Sequence, residues 1–295
     1  MAYQEHTTVN SHKHVIDLIE TFLTAQGWTI DASTNAAERE LYVSKANGGE
    51  TFYFSIKSTG SNSVVLRANL AYPESGSSGV TYMNLKSTSM VRCWLFAGDL
   101  YCYVAVEVAA GYFQMLGFGR LVPYFTFSAS DKEGAFVFGN NNTAWSTLTT
   151  NAGYSYFSMF PTGTNTNHVR NVPVAGAQWG TPNYPIGAYS NNYSSSTTAY
   201  RESWLLTRLP NTNGDRPMLP IRWQAPNNPA VPAGFSNMYE LGYLPAMRVM
   251  SGSGVVNASE ETIGGDVWKR FPPPHQNTAV QFLSVGGALA FAFLK

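Results

Sequence analysis

The stretch Lys86–Arg120, KSTSMVRCWLFAGDLYCYVAVEVAAGYFQMLGFGR, is the longest run of apolar, β-branched and aromatic residues in the chain, broken only by turn signals. Gly98-Asp99 fits a two-residue hairpin loop with glycine first, and Ala109-Ala110-Gly111 fits a second turn, so three strands are expected. With Gly98 and Asp99 as the central pair, Leu95 faces Cys102 and Trp94 faces Tyr103. Both faces of the hairpin then carry bulky apolar side chains. A strand apolar on both faces must be covered on both, and the rest of the chain has to supply the covers.

In this register Cys93 and Cys102 lie on one face but diagonally, too far apart for good disulfide geometry, and two buried thiols are expected. A shifted register with Ala97-Gly98 as the loop would pair them directly.

Upstream, Val15, Leu18, Ile19, Phe22 and Leu23 recur at the spacing of one helix face, with Ser11 as N-cap and Gly27 closing the C-terminal end. Lys13, Asp17 and Glu20 fall on the opposite face, so this helix should lie on a sheet with one side in water. Trp28 and Ile30 lead into extended structure. Arg39–Lys45 and Thr51–Lys57 alternate apolar and polar residues around Asn47-Gly48-Gly49, a second hairpin. Val64–Tyr72 reads as a third element of the same sheet, ended by Pro73 and the Ser/Gly run. With the anchor stretch this gives five to seven antiparallel strands covered by one N-terminal helix, an α+β arrangement that is mainly β.

From about Phe125 the character changes. Residues 129–202 form an Asn/Ser/Thr/Tyr-rich loop or arm region, including the nearly patternless NVPVAGAQWGTPNYPIGAYSNNYSSSTTAY of Asn171–Tyr200. A loop that long is functional, pinned from outside, or simply flexible. Trp179, Tyr184, Tyr189, Tyr193 and Tyr200 are costly to leave in water, and these five are the candidate interface residues. Residues 203–295 read as a small C-terminal β unit: Leu219–Trp223, Tyr239–Val249, a hairpin turning at Gly264-Gly265 or Gly265-Asp266, and a last apolar strand ending at Leu294. The domain division expected is therefore 1–128, 129–202 and 203–295.

The 295-residue chain is long enough to bury a sizeable core. Its charged fraction is 12%, with 18 basic and 18 acidic residues, against about 25% charged in ordinary soluble proteins. That balance argues against a phosphate-backbone binder, so no direct nucleic acid specificity is expected. With 14% aromatic residues in the chain and long Asn/Ser/Thr/Gly/Tyr tracts, a polar but uncharged surface is expected, which suits contact with another protein. The amino terminus lacks a basic region followed by an apolar core, so no signal peptide is expected. Val285–Leu294 is too short for a bilayer, which takes about 20 residues, so no membrane segment is expected and the chain should be soluble and intracellular when made.

The helix ending in FLTAQGW (Phe22–Trp28), followed by ELYVS, a Gly turn and TFYFSIKS, resembles a family of virion structural proteins of tailed bacteriophages. VRCWLFAGDLYCYVAVEV followed by YFQMLGFGRLVPY fits the same pattern, as do ELGYLPAMRV and ETIGGDVWKRFP near the other end. The central hairpin departs from that pattern in carrying Gly98-Asp99 where a charged or Arg-rich turn is usual. The last strand is apolar where a polar end is usual. The resemblance implies a structural component of the phage particle, in the tail, baseplate or neck. It would be a homo-oligomer contacting other phage structural proteins, assembled in the host bacterial cytoplasm and localised to the virion. It carries no catalytic residues, and no enzyme activity and no cofactor are expected.

His6, His12 and His14 crowd the N-terminus, and a metal site there would need a fourth ligand and a rigid frame, so solvated histidines are expected. Glu260 and Glu261 are adjacent, hence on opposite faces of a strand, and Asp215 sits in a turn; a glycosidase pair would face each other. The alternative expectation is a tail-tip receptor-recognition module binding a cell-surface glycan, with Trp179 and Trp223 as aromatic platforms.

Overall fold

A computed structural model describes residues 1–60, 62–78, 80–124, 132, 134–139, 168–171, 178–180, 218–224, 240–251, 256–271 and 289–295. Among them the fold is mainly β, antiparallel throughout, with a single helix near the N-terminus, as the sequence pattern requires. The first half runs β1 (Ala2–His6), α1 (His12–Ala25), β2 (Thr29–Asn35), β3 (Arg39–Asn47), β4 (Glu50–Ser58), β5 (Ser63–Asn69), β6 (Thr81–Asn84), β7 (Arg92–Gly98), β8 (Tyr101–Ala109), β9 (Tyr112–Arg120) and β10 (Val122–Pro123). It continues with β11 (Ala135–Phe138), β12 (His168–Asn171), β13 (Gln178–Gly180), β14 (Leu219–Gln224), β15 (Glu240–Ser251), β16 (Ser259–Ile263), β17 (Asp266–Phe271) and β18 (Leu289–Leu294).

These strands form three sheets: β1-β7-β8-β9-β11-β12-β13, β2-β3-β4-β5-β6, and β10-β15-β18-β17-β16 with β14 also on β15. The anchor stretch and the N-terminal hairpin therefore belong to different sheets, not to one sheet as expected. The alternation explains the split. In β3 to β5 only one face is apolar, built by Leu41, Val43, Phe54, Ile56 and Leu66. A one-faced sheet makes an outer layer, whereas β7 to β9, apolar on both faces, make an inner one.

Ser11 caps α1, its Oγ accepting from the His14 N–H at 3.2 Å. The helix packs against β2 to β5 on one side and β7 on the other. Its Val15, Ile16, Ile19, Phe22 and Leu23 share a core with Cys93, Leu95, Val104 and Val106. The polar side of α1 is not left wholly to water. Arg39, 3% exposed, donates from Nε to Asp17 Oδ1 at 2.7 Å, bonds Glu20, and donates to the carbonyls of Thr34 and Glu40. Lys45 Nζ closes the other end of the helix, donating to the Gln26 and Gly27 carbonyls at 3.2 and 2.9 Å.

The β3–β4 loop is Gly48-Gly49, both at positive φ (60° and 87°), the conformation that a tight antiparallel hairpin needs. In the β7–β8 hairpin the central pair is Asp99-Leu100, one residue later than expected, with Gly98 opposite Tyr101. Gly98 is kept inside the strand because the Tyr101 ring lies over it: a Cβ there would stand 2.4 Å from that ring. The faces are unchanged, because both strand positions slide together. Cys93 sits opposite Val106 and Cys102 opposite Ala97, and both are free, buried thiols. Burial alone drives the Cys93 thiol pKa far up.

The other face of β7 to β9 is covered by the C-terminal sheet. Trp94, Phe96, Tyr103, Phe113, Phe136 and Phe138 share a core with Leu244, Met247, Val249, Phe271, Phe291 and Phe293. Tyr103 Oη donates to the Pro245 carbonyl at 2.7 Å, pinning the two sheets together. Strands do not respect the boundaries drawn from composition: β11, β12 and β13 extend the sheet of β7 to β9, and β10 joins β15.

Candidate functional site

Of the five interface residues expected from sequence, Trp179 lies in β13, the terminal strand of the seven-stranded sheet, opposite Arg170. Tyr184, Tyr189, Tyr193 and Tyr200 lie outside the described residues. Trp223 is in β14, opposite Gly242 of β15. Among the described residues, then, the candidates are not gathered in one place, and the one that is placed lies in the last described strand of its sheet.

Two polar constellations are built by the fold. The first joins the opposite end of the seven-stranded sheet to the C-terminal sheet. Tyr3 Oη donates to Glu5 Oε2 at 2.7 Å and Arg92 reaches Glu5 Oε1 at 3.3 Å. Lys269, with a side chain 9% exposed, lies 3.6 Å from Glu5 and 3.4 Å from Glu260. Lys295 Nζ donates to Glu260 at 3.0 Å and sits 4.8 Å from the centre of the Tyr3 ring. Burial works to raise the Glu5 pKa, but the Tyr3 hydroxyl and Lys269 outweigh it and leave it below the usual carboxylate value. The Lys295 hydrogen bond does the same for Glu260. Tyr3 is pushed well up by burial and by Glu5, so it stays a donor.

The second covers the outer face of the five-stranded sheet. Glu74 accepts from Ser55 Oγ at 2.6 Å and pairs with Lys57 at 3.2 Å. Asn69 Nδ2 donates to Ser55 Oγ, and Ser77 Oγ donates to Asn69 Oδ1. Tyr42 and Tyr72 meet edge to face at 5.3 Å, with the Lys57 ammonium 5.0 Å above the Tyr42 ring. This network holds the loop after β5 onto the sheet, and Tyr72 is exposed above it.

The histidines differ from expectation. His12 is 6% exposed at the first turn of α1, its backbone N–H donating to the Lys86 carbonyl, while His14 Nδ1 accepts from the Asn10 N–H. Sequence periodicity could not reveal this, because the cover over His12 comes from the distant segment around Lys86. Among the described residues no three His, Cys, Asp or Glu gather as a group able to hold a metal ion. None of their helices is long and apolar enough to cross a membrane. Glu260 and Glu261 are engaged by Lys269, Lys295 and Arg270, and Asp215 lies outside the described residues.

No protein family matches the chain, and no curated protein matches it.

Proposed function

We propose that the chain is a structural, non-catalytic component of a tailed bacteriophage particle, in the tail, baseplate or neck. It assembles in the host bacterial cytoplasm through protein-protein interfaces into a symmetric oligomer within the virion, beside other phage structural proteins. The observation that carries the reading is the end of the seven-stranded sheet: among the described strands the last is β13, a three-residue strand that includes Trp179 within the uncharged, tyrosine-rich tract 171–200. An edge strand offers unpaired main-chain groups to another chain. The order of short motifs described above supports the phage assignment. Mass analysis of the purified full chain, together with quantitative mass spectrometry of purified particles, tests it. Many copies per particle and a self-associated chain are expected; a monomer at all concentrations, missing from particles, overturns it.

A second reading, a glycan-binding module at the tail tip, draws support from the exposed Tyr72 beside Tyr42 and Lys57, since an exposed aromatic ring with adjacent polar groups suits a sugar ring. Binding of the purified chain to a glycan array favours it. Absence of binding together with a location inside the tail axis or neck removes it.

A further inference from the structure

The outer face of the five-stranded sheet carries side chains that its own contacts do not use up. On β3, β4 and β5, Tyr42 stands opposite Ser55 and Ser55 opposite Arg67, so the three form one row on the face turned away from the core. At one end of the row Tyr72 lies against Tyr42 and is 44% exposed. At the other end the Arg67 side chain is 38% exposed, and its ion-pair partner among the described residues, Glu74 Oε2, is 3.8 Å from Nη1, beyond hydrogen-bond reach. Its Nε has no hydrogen-bond partner among the described residues either. Two strand spacings, about 10 Å, separate the Tyr42 and Arg67 backbones. That is the length of a disaccharide.

The loop that brings Tyr72 over the sheet is held in place by its own bonds. The Leu70 N–H donates to the Ser75 carbonyl and the Ser78 N–H to the Ala68 carbonyl, both at 2.8 Å, and the Ala68 N–H donates to Ser78 Oγ at 3.0 Å. Glu74 is tied to Ser55 and Lys57, and Ser77 to Asn69. Gly76, at φ 53°, packs so closely on Leu70 that a Cβ would stand 2.5 Å from that side chain. A platform fixed in advance loses less freedom when a ligand binds.

We infer that Tyr72 and Arg67 mark a binding site for an uncharged oligosaccharide, with one sugar ring on the Tyr72 ring and hydroxyls of the next accepting from the Arg67 guanidinium. The electrostatics of the face select against charged ligands. Lys57 and Arg67 are balanced by Glu40 and Glu74, so an acidic glycan or a phosphate chain gains nothing from the surroundings as a whole. The polar neighbours Ser55, Asn69 and Ser77 are wrong for an apolar protein segment, whose aromatic anchors need a desolvated pocket. The inference rests on the glycan-binding reading above and names its site and ligand class.

An array of uncharged and acidic oligosaccharides, probed with the purified full chain and with Tyr72→Ala, Tyr72→Trp and Arg67→Gln, tests it. The wild type should bind uncharged oligosaccharides. Tyr72→Ala and Arg67→Gln should each weaken that binding about tenfold or more, and Tyr72→Trp should retain it, because the platform remains. Both positions are exposed, so near-ultraviolet circular dichroism spectra should match the wild type. Uncharged glycans bound equally well by the wild type and Tyr72→Ala overturn the site and leave glycan binding standing. Preference for acidic glycans overturns the ligand class. A chain that binds no oligosaccharide overturns both the site and the reading it rests on.

Discussion

On one face of the seven-stranded sheet, Cys93, Leu95, Val104 and Val106 share a core with Val15, Ile19 and Leu23 of the helix. On the other, Trp94, Phe96, Tyr103 and Phe113 share one with Phe271, Phe291 and Phe293. The first core is mostly branched aliphatic and the second mostly aromatic. Packing geometry accounts for the difference. Two stacked sheets stand about 10 Å apart, a gap that large rings bridge. A helix brings its own side chains down onto the sheet, and shorter branched residues suffice. The rings also contact each other, Trp94 with Phe271 at 5.0 Å and Phe96 with Phe293 at 5.0 Å, and such pairs add about 0.5–1.5 kcal/mol each beyond area burial.

The sharpest way to break this comparison is Phe271→Ala. Its ring meets those of Trp94, Phe96, Phe113 and Phe293, so the substitution should cost about 3–5 kcal/mol in urea unfolding. A loss near that of a surface substitution would mean that the aromatic layer is loosely packed. On the helix side, Arg39→Ala removes a buried guanidinium with two carboxylate and two carbonyl partners. About 1.5–3 kcal/mol is expected, with Arg39→Lys recovering only part, because an ammonium cannot reproduce the fork. Ser11→Ala tests the helix end alone and should cost about 1 kcal/mol by thermal unfolding.

The smallest effect expected is a pH dependence to which His12, on the helix side, contributes. Burial holds His12 below the ordinary imidazole value, with Lys13 adding to the shift and the Lys86 and Thr59 carbonyls opposing it. The unfolded chain therefore binds a proton more readily than the folded one. Stability should fall as pH drops below about 6.5, the unfolded imidazole value, and this loss should level off below the folded pKa. Melting temperature against pH should show the slope, and His12→Gln should reduce it, leaving the part due to His6, whose imidazole burial also holds low. Glu5 and Glu74, both held below the usual carboxylate range, add a separate loss at more acid pH, as they take up protons.

What was legible in the sequence follows the same division. Ser11, Gly27 and the 3.6-residue spacing gave the helix its limits, and Gly48-Gly49 marked its hairpin, because caps and turns are written in adjacent residues. The two apolar faces of β7 and β8 were legible even though the loop lies one residue later, since a two-residue register slide preserves the faces. The identity of the covers was not legible. Nothing near Trp94 announces Phe271, and nothing near Glu5 announces Lys269, because those partners lie far along the chain. β1 escaped notice as well: Ala2–His6 is half-buried throughout, without the apolar alternation that would mark it as a strand. Of the candidate site, the tryptophan at 179 could be picked out as costly to expose, but its place at a sheet edge depends on the pairing of β12 with β11, which local pattern does not encode.

The count of strands in the central sheet has one more consequence. Seven antiparallel strands in the order β1-β7-β8-β9-β11-β12-β13 make the first and last run in the same direction, so the layer has a polarity, like an arrow with distinct sides. A strand added antiparallel at either end of these seven would therefore run the same way at both.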